Sequence, residues 1–171
     1  MRAPASDLIV RLATPDDAEG LSEMVGLLAE YERAADQNRC TPEVIRAELS
    51  SPDAVLKAAV ALRGTTYVGM ASWFTTFSTF AGARGLYIED IYVKDDQRHK
   101  GIGTALLRFV AKVAVQQGCG RVEWTTLVWN TPAMEFYESL GARPNDAWTT
   151  YRLSDEWLRR QAERCRHETR A

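Results

Sequence analysis

Hydrophobic and polar residues follow two different periods along this chain, and the shorter period marks the strands. Six stretches are short, apolar and rich in β-branched or aromatic residues, which is typical of β-strands. Gly, Pro, Asp or Ser residues bound most of these stretches and indicate turns. The pattern predicts strands over Leu8–Ala13, Val55–Leu62, Thr66–Thr75, Leu86–Val93, Arg121–Val128 and Trp148–Leu153.

The longer period, with apolar residues every three or four positions, predicts helices between the strands. Thr14-Pro15-Asp16-Asp17 is typical of a helix start, because threonine caps, proline suits the first turn and aspartates complement the helix dipole. This first helix should end near Tyr31-Glu32. The other predicted helices cover 41–50, 103–117, 131–140 and 155–164.

The elements follow the order β-α-α-β-β-β-α-β-α-β, and a charged terminal helix comes last. Consecutive strands favour antiparallel hairpins, whereas the later β-α-β steps favour parallel pairing. The predicted fold class is therefore α/β, with a mixed, mostly antiparallel central sheet and helices on both faces. We expect a loop over 77–85 and a single domain over 1–171, of which 158–171 is a charged tail.

Composition and charge narrow the class of protein. The 171 residues are 46% hydrophobic and 26% charged, which is ordinary for a globular protein and excludes a collagen-like or disordered chain. The net charge of −2 predicts no nucleic-acid partner. Apolar runs are shorter than the ~20 residues of a membrane span, and the first residues lack a signal-peptide pattern. We therefore expect a cytoplasmic protein with no membrane partner.

The cysteines and histidines form no recognisable metal-binding or disulfide pattern. Cys40, Cys119 and Cys165 are far apart and odd in number, and neither His99 nor His167 lies near a cysteine cluster. We expect three reduced thiols and no bound metal.

A basic, glycine-containing turn after the fourth predicted strand is the most informative segment. It runs Gln97-Arg98-His99-Lys100-Gly101-Ile102-Gly103-Thr104, and an amphipathic helix follows. The N–H groups of a first helical turn lack intrahelical partners and glycine permits close approach, so such a turn can bind a phosphate. The alternative is a tight turn with solvated charges. The turn lacks the third glycine of a dinucleotide-binding motif and the Gly-Lys-Ser/Thr of a Walker loop.

Two longer motifs carry a resemblance to a known family. Arg98-x-x-Gly101-x-Gly103 lies between a strand and a helix, and it is followed by Trp129-Asn130-x-Pro132-Ala133-x-x-Phe136-Tyr137-x-x-x-Gly141-Ala142. Together they resemble the GNAT superfamily of acetyl-CoA-dependent N-acetyltransferases. The segments 27–32, Tyr87–Asp90 and Trp148–Leu153 resemble its diamine (spermidine/spermine) branch, which includes thialysine-acetylating relatives.

The resemblance implies acetyl-CoA as cosubstrate, no metal, and direct acetyl transfer in a ternary complex. It implies a splayed strand pair around the acetyl-CoA cleft, with a strand bulge whose N–H polarises the thioester carbonyl. Ile91 and Val93 would act through their main chain only. The implied cofactor-binding residues are Ile91, Tyr92, Val93, Arg98, His99, Lys100, Gly101, Ile102, Gly103, Thr104, Asn130 and Ala133.

Tyr137 and Glu89 are the implied catalytic residues. A phenol, with an ordinary pKa of about 10, can protonate the leaving thiolate, although packing beside Phe136 is an alternative role for Tyr137. Glu89 would take the proton of the ammonium through a water. Side chains alternate along a strand, so we expect Glu89 and Asp90 to point to opposite faces. Asn130 would bind the CoA arm, cap the next helix, or do both.

The implied acceptor is a primary amine of a small cationic substrate, either a diamine or polyamine or a lysine-like amino acid. Carboxylates and aromatic rings suit such a cation, although they are also typical of solvated surfaces. Residues 78–82 lack the acidic residue and tryptophan of the spermidine/spermine enzymes, which favours shorter or lysine-like amines as much as long polyamines. The implied substrate-binding residues are Tyr31, Glu32, Glu89, Asp90, Glu123, Trp124 and Asp146.

Two other functions stay open on the sequence alone. An enzyme of the same fold could acetylate a peptide or protein amine, which needs an open groove at residues 77–85. A non-catalytic acyl-CoA sensor would lose the acid or the base, yet Tyr137 and Glu89 are both present. The resemblance also implies a homodimer, in which Trp148–Leu153 could be exchanged between subunits.

Overall fold

The computed structural model describes residues 8–168, with side chains as far as residue 164. The strands in this range are β1 (Leu8–Leu12), β2 (Lys57–Arg63), β3 (Thr66–Ser78), β4 (Ala83–Val93) and β5 (Val122–Glu123). The helices are α1 (Ala18–Tyr31), α2 (Pro42–Ser50), α3 (Ile102–Gln116), α4 (Thr131–Ser139) and α5 (Asp155–Glu168). Short 3-10 turns cover Pro15–Asp17, Ala35–Gln37 and Asp95–Gln97.

The strands form one sheet in the order β1-β2-β3-β4-β5. The first four strands pair antiparallel, and β5 pairs parallel to β4 through Leu86↔Val122 and Tyr87↔Glu123. Helix α3 lies between β4 and β5 in the chain, as a parallel connection requires. The predicted α/β fold with a mixed, mostly antiparallel sheet is confirmed.

The sheet buries apolar side chains on both of its faces. On the α3 face, Leu106 and Val110 of that helix pack in a cluster with Trp73 of β3. On the opposite, α1/α2 face, Met24 and Ile45 of the two helices pack in a cluster with strand residues such as Met70. Neighbouring residues of a strand therefore pack in different cores on opposite faces of the sheet, and helices cover both faces as predicted.

The described chain forms two compact units, whose boundary falls between Trp129 and Asn130. The first unit contains the sheet with α1, α2 and α3, and the second contains α4, α5 and the segment between them. The single domain over 1–171 stays a prediction. Residues 1–7, and residues 169–171 of the predicted charged tail, lie outside the described residues.

The β3–β4 hairpin is longer than the sequence pattern predicts. Residues 77–85 were expected to form a loop, but Phe77 pairs with Arg84 and Ser78 with Ala83. A turn over 79–82 remains, in which Gly82 has a φ of +58°. Residues 74–78 at this end of the hairpin alternate between half-buried and exposed, but their sequence, Phe-Thr-Thr-Phe-Ser, does not alternate apolar and polar residues as a strand signal does.

One predicted strand is shorter in the structure, and another is not a strand. β5 contains only Val122–Glu123, because β4 bulges just beyond Tyr87 and the strand that should extend to Val128 loses its partner. The predicted strand Trp148–Leu153 is not a strand, since within residues 8–168 no neighbouring strand pairs with it. Its apolar residues nevertheless explain the prediction, because an apolar run cannot reveal whether a partner strand is present.

The first helix begins later than the cap signal predicts. Pro15–Asp17 forms a 3-10 turn, and α1 starts at Ala18. The Asp17 carboxylate accepts hydrogen bonds from the main-chain N–H and the hydroxyl of Thr14, at 2.8 and 3.1 Å. These bonds tighten the chain ahead of the helix, which sequence propensity alone does not predict.

Candidate active site

A bulge in β4 sets the geometry of the candidate site. Trp73 of β3 pairs with Ile88 and the preceding Ser72 pairs with Asp90, so Glu89 is an extra residue in β4. The pairing of β4 with β5 ends at Tyr87, two residues before Glu89. Beyond this point no strand among residues 8–168 pairs with β4 on its β5 side, and the bulge lies two residues before Ile91.

The bulge interrupts the alternation of side chains along β4. Ile88 and Ile91 both pack in the α3-face cluster, although a regular strand would place residues three apart on opposite faces. Asp90 lies on the α1/α2 face, because it accepts a hydrogen bond from Ser72 and its charge reaches Cys40 of that core. Glu89 is exposed at the bulge, and the expectation that the two carboxyl groups point to opposite faces stays a prediction.

Asp90 is the more deeply buried of these two carboxyl groups. The Ser72 hydroxyl donates a hydrogen bond to Asp90 Oδ2 at 3.1 Å. Burial raises the pKa of Asp90 to about 6, the Ser72 hydrogen bond opposes this shift, and the charges of Glu89 and Glu32 add to it. The α1/α2 face thus holds a carboxyl group that titrates near neutral pH.

The end of α1 contributes a second part of the same face. Tyr31 is the last residue of the helix and packs against the α1/α2-face core, and Glu32 follows it as the C-cap. The Glu32 side chain is exposed as a whole, but neighbouring atoms partly desolvate its carboxyl group and raise its pKa. Cys40 also lies here, where burial and the charge of Asp90 raise the pKa of its thiol.

The predicted phosphate-binding turn, residues 97–104, lies at the end of β4 and is called the glycine turn below. Gly101 has a φ of +80° and precedes α3, and His99 has a φ of +59°. A Cβ added to Gly101 would meet no atom within 4 Å, so the backbone lies open there. The Arg98 N–H donates a backbone hydrogen bond to Asp95 O, and the next backbone hydrogen bond is the one from Ala105 N–H to Gly101 O. The N–H groups between them suit an anion.

The charged side chains of the glycine turn bind partners within the protein. Arg98 forms an ion pair with Asp95 at 2.7 Å, and its Nε donates to the main-chain oxygen of Val93 at 3.2 Å. Lys100 Nζ donates to the main-chain oxygen of Asp96 at 2.8 Å. The backbone of the turn is therefore the part best placed for a phosphate.

The remaining predicted cofactor residues of the first unit are partly core residues. Tyr92 and Ile102 are buried, and Ile91 and Val93 are half-buried against the α3 face, so their cofactor contacts would come from the main chain. Gly103 and Thr104 stand in the first turn of α3, where N–H groups point out of the helix end.

The predicted substrate residues on β5 have partners of their own. Glu123 forms an ion pair with Arg121 at 2.7 Å, and Trp124 packs against the α3-face core. Tyr87 of β4 donates a hydrogen bond to the Thr125 hydroxyl at 3.1 Å, which ties the segment after β5 to the sheet. Neither Glu123 nor Trp124 lies among the residues of the α1/α2 face.

The second unit carries the remaining predicted residues. Asn130 is the N-cap residue of α4, but its side chain makes no capping hydrogen bond; its main-chain oxygen accepts from Ala133 and Met134 instead. Tyr137 is half-buried in α4, and its ring centre lies 5.3 Å from that of Phe136. Asp146 is exposed, in a turn before Trp148.

Within residues 8–168, no helix is long and apolar enough to cross a membrane. Nor does this range contain a cluster of three or more His, Cys, Asp or Glu side chains suited to a metal ion. Cys40 and Cys119 are free thiols. The Cys165 and His167 side chains lie outside the described part of the chain.

Comparison with known proteins decides the family, because residues 21–142 match the acetyltransferase (GNAT) family. The chain belongs to this family. Thialysine N-epsilon-acetyltransferase from Sus scrofa is 32% identical over 168 residues, which cover 92% of this chain and 98% of that protein. L-ornithine N5-acetyltransferase from Arabidopsis thaliana is 40% identical over 97 residues, 57% of this chain and 42% of the relative. This GNAT protein is an N-acetyltransferase, and the predicted diamine/thialysine branch is confirmed.

Solved structures confirm the GNAT fold. An integron cassette protein from V. cholerae has a TM-score of 0.78 at 23% identity, covering 92% of this chain and 99% of its own. An aminoglycoside acetyltransferase from a soil metagenome has a TM-score of 0.73 at 20% identity, with 88% and 100% covered. At these identities the likeness concerns the fold alone.

Sequence reasoning missed several residues that shape the site of this GNAT acetyltransferase. Ser72 holds Asp90, and its hydroxyl among the buried residues at the middle of β3 was a usable signal. Asp95 pairs with Arg98 three residues later, which is a spacing typical of a turn. The family resemblance implies a bulge in this strand, but its position at Glu89 had no signal in the sequence, because it depends on how β3 and β4 align.

Proposed function

We propose that this GNAT acetyltransferase moves the acetyl group of acetyl-CoA to a primary amine of a small cationic acceptor. The observation that carries the proposal is the acidic α1/α2 face, where Asp90 is held by Ser72 and the charges of Glu89 and Glu32 lie within electrostatic reach of it. A cluster of carboxyl groups suits an ammonium group and disfavours a neutral or anionic acceptor.

The glycine turn supports acetyl-CoA as the donor. The positive φ of Gly101, the open space over it and the outward N–H groups of the first turn of α3 fit a pyrophosphate. The main chain of Ile91 and Val93 would hold the pantetheine arm, since no strand within residues 8–168 pairs with β4 on its β5 side beyond Tyr87. Asn130 and Ala133 of the second unit are proposed to bind the same cosubstrate.

The reaction forms one C–N bond and breaks one C–S bond. The amine must lose a proton to become a nucleophile, and the departing CoA thiolate must gain one. We assign the first proton to Glu89, through a water, and the second to the phenol of Tyr137. An N–H of the β4 backbone beside the bulge would stabilise the charge that develops on the thioester oxygen. The acetyl group passes directly from donor to acceptor.

Small amines with a terminal cationic group are the favoured acceptors. The relatives are named for thialysine and for L-ornithine, both of which are amino acids with an amine at the end of the side chain. Residues 78–82 add no carboxylate at the hairpin tip that could hold the distant charge of a long polyamine. We therefore propose a lysine-like amino acid or a short diamine, bound by the substrate residues Tyr31, Glu32, Glu89 and Asp90, with Asp146 from the second unit.

A CoA-release assay tests this function. The purified protein is given acetyl-CoA and, separately, thialysine, ornithine, lysine, putrescine, spermidine, an aminoglycoside or a short peptide, and free thiol is measured. We expect release with thialysine or a short amine at least tenfold above spermidine. Release with the peptide alone would replace the proposal by a protein acetyltransferase, and bound acetyl-CoA without any release would favour a sensor.

We also propose a homodimer. Trp148, Tyr151 and Leu153 are exposed by 77%, 91% and 51%, although they are the large apolar residues of a segment with strand-like sequence. Exposed apolar residues so close together are typical of a surface that another chain covers. A second copy of this chain, pairing through this segment, is the occupant that we propose.

A further inference from the structure

A row of aromatic rings and guanidinium groups joins the glycine turn to the end of α1. The Arg98 guanidinium carbon lies 4.7 Å from the ring centre of Tyr31 and 5.7 Å from that of Tyr92. The Tyr31 ring lies 5.9 Å from the ring of Trp129, which Arg33 covers at 5.8 Å. These five residues are called the aromatic ladder below. They connect an element predicted to bind the cosubstrate with one predicted to bind the acceptor.

Arg98 is the member of the aromatic ladder that belongs to the glycine turn, and its guanidinium is held on several sides. The ion pair with Asp95 and the hydrogen bond to Val93 O fix the plane of the group, and Tyr31 lies against it. A planar guanidinium can stack on a ring while its edges donate hydrogen bonds, which an ammonium group cannot do. The position of the Arg98 guanidinium therefore depends on the position of the glycine turn. The position of the Tyr31 ring depends in the same way on Arg98, against which it packs.

We infer that Arg98 is a positioning residue, which transmits occupancy of the glycine turn to the end of α1 through its stack on Tyr31. The inference rests on the proposed function, since it requires an acyl-CoA at the turn. A phosphate bound by the N–H groups around Gly101 would restrict the backbone that carries Arg98. The stacked Tyr31 ring, and the adjacent Glu32, would then be held in the arrangement that receives the amine.

This coupling has a thermodynamic consequence. If the cosubstrate orders the end of α1, the amine binds with less loss of conformational freedom, and the two ligands bind cooperatively. Linkage requires that the amine strengthen CoA binding by the same factor. A second connection, the ion pair of Lys94 with Glu23 at 2.6 Å, lies at the surface and contributes little by comparison.

Hydrogen–deuterium exchange with free CoA as the probe tests the inference without an acceptor. In the wild type, CoA should slow exchange both in the peptide that covers the glycine turn and in the peptide that covers 27–33. In Arg98→Lys, with the CoA concentration raised until residues 99–106 are fully protected, we expect the protection of 27–33 to fall by about fivefold or more. Arg108→Lys, an exposed arginine on α3, is the matched control and should behave as the wild type.

Two variants at Tyr31 separate stacking from a general structural effect. Tyr31→Phe keeps the ring and should keep the CoA-induced protection of 27–33, whereas Tyr31→Leu should lose it as Arg98→Lys does. Retained protection in both Arg98→Lys and Tyr31→Leu would overturn the inference. So would a wild type in which CoA protects 99–106 alone. If CoA does not bind the wild type at all, the proposed function fails as well.

Discussion

Asp90 carries a carboxyl group in surroundings that oppose its ionisation. Burial is the main cause, and the pKa rises to about 6 even though Ser72 donates a hydrogen bond to the group. Because the folded-state pKa lies above the unfolded value of 3.8, this group favours the folded state fully at low pH. That contribution is lost as the pH rises through about 6. A charge that costs stability at neutral pH is typical of a functional group.

Asp90→Asn tests this interpretation. The variant removes the cost of ionisation, so we expect its free energy of unfolding to exceed that of the wild type by about 1–3 kcal/mol at pH 8, with the difference vanishing near pH 4. Acetylation of a small amine should fall at least tenfold. Urea unfolding at both pH values measures the stability. Asp53→Asn, on an exposed loop, is the control, and a variant less stable than the wild type at pH 8 would contradict the prediction.

Tyr137 is a residue whose role depends on its hydroxyl. Tyr137→Phe keeps the ring beside Phe136 and removes the proton donor, so kcat should fall by about 10²–10⁴-fold. The Kd for acetyl-CoA should change less than threefold. Steady-state kinetics and calorimetry measure the two quantities. Weakened acetyl-CoA binding with unchanged kcat would instead make Tyr137 a packing residue.

At the scale of elements, the junction of β4 and α3 depends on the backbone of Gly101. Its φ of +80° is strained for any β-branched residue, and the space above it is open. Gly101→Val should therefore weaken acetyl-CoA binding at least tenfold, because the side chain occupies the approach to the N–H groups. Gly64→Val is the matched control, with a φ of +58° and equally open surroundings in the β2–β3 turn. If both variants bind acetyl-CoA alike, the glycine turn does not bind its phosphate.

β1, the first 3-10 turn and β3 meet at a single buried carboxylate. Asp17 is 2% exposed and accepts two hydrogen bonds from Arg11, both at 2.7 Å, and one from the Tyr67 hydroxyl at 2.8 Å. The Arg11 hydrogen bonds are the main reason that the pKa of Asp17 lies well below its usual range. Because this folded-state pKa is depressed, the carboxylate stabilises the fold above about pH 4 and loses that effect as the pH falls further.

Asp17→Asn should lower the free energy of unfolding at pH 7 by about 2–3 kcal/mol, since Arg11 loses its partner. The difference from the wild type should shrink as the pH falls from 6 to 3. The difference expected of Asp90→Asn also shrinks at low pH, but it has the opposite sign, because that variant is more stable than the wild type. Thermal unfolding across this pH range measures it. A difference that does not change with pH would place the effect in packing against Tyr67 rather than in the charge.

The predictability of these elements from sequence depends on whether their determinants are local. The start of α2 at Thr41-Pro42 and the αL residue Gly101 before α3 follow from caps and glycine chemistry, and both are confirmed. The bulge at Glu89 and the end of β5 at Glu123 depend on the alignment of separate strands. The side-chain directions of Glu89 and Asp90 depend on that alignment. The sequence therefore indicates which carboxyl groups belong to the acidic face, but not how they are arranged.

At the scale of the whole molecule, the second unit has apolar side chains that are exposed in the described part of the chain. Trp148 and Tyr151 are 77% and 91% exposed, and Leu153 is half exposed. Aromatic residues are enriched at protein interfaces because they bury a large apolar area with few rotatable bonds. The absence of a strand over Trp148–Leu153 in the single chain is consistent with a segment that pairs only when a second copy is present.

The proposed homodimer gives the final prediction. Light scattering at 10 μM should give twice the mass of the chain, and the double variant Trp148→Ser, Tyr151→Ser should raise the dimer Kd by about 10- to 100-fold, since it truncates two aromatic anchors. Val115→Ser, which changes an exposed apolar residue on α3, should leave the mass unchanged. A wild type that is monomeric at 10 μM would reject the homodimer, and a double variant that dimerises as the wild type does would move the interface away from residues 148–153. Acetyl-CoA binding by the monomeric variant would then decide whether the glycine turn of one chain suffices for the cosubstrate.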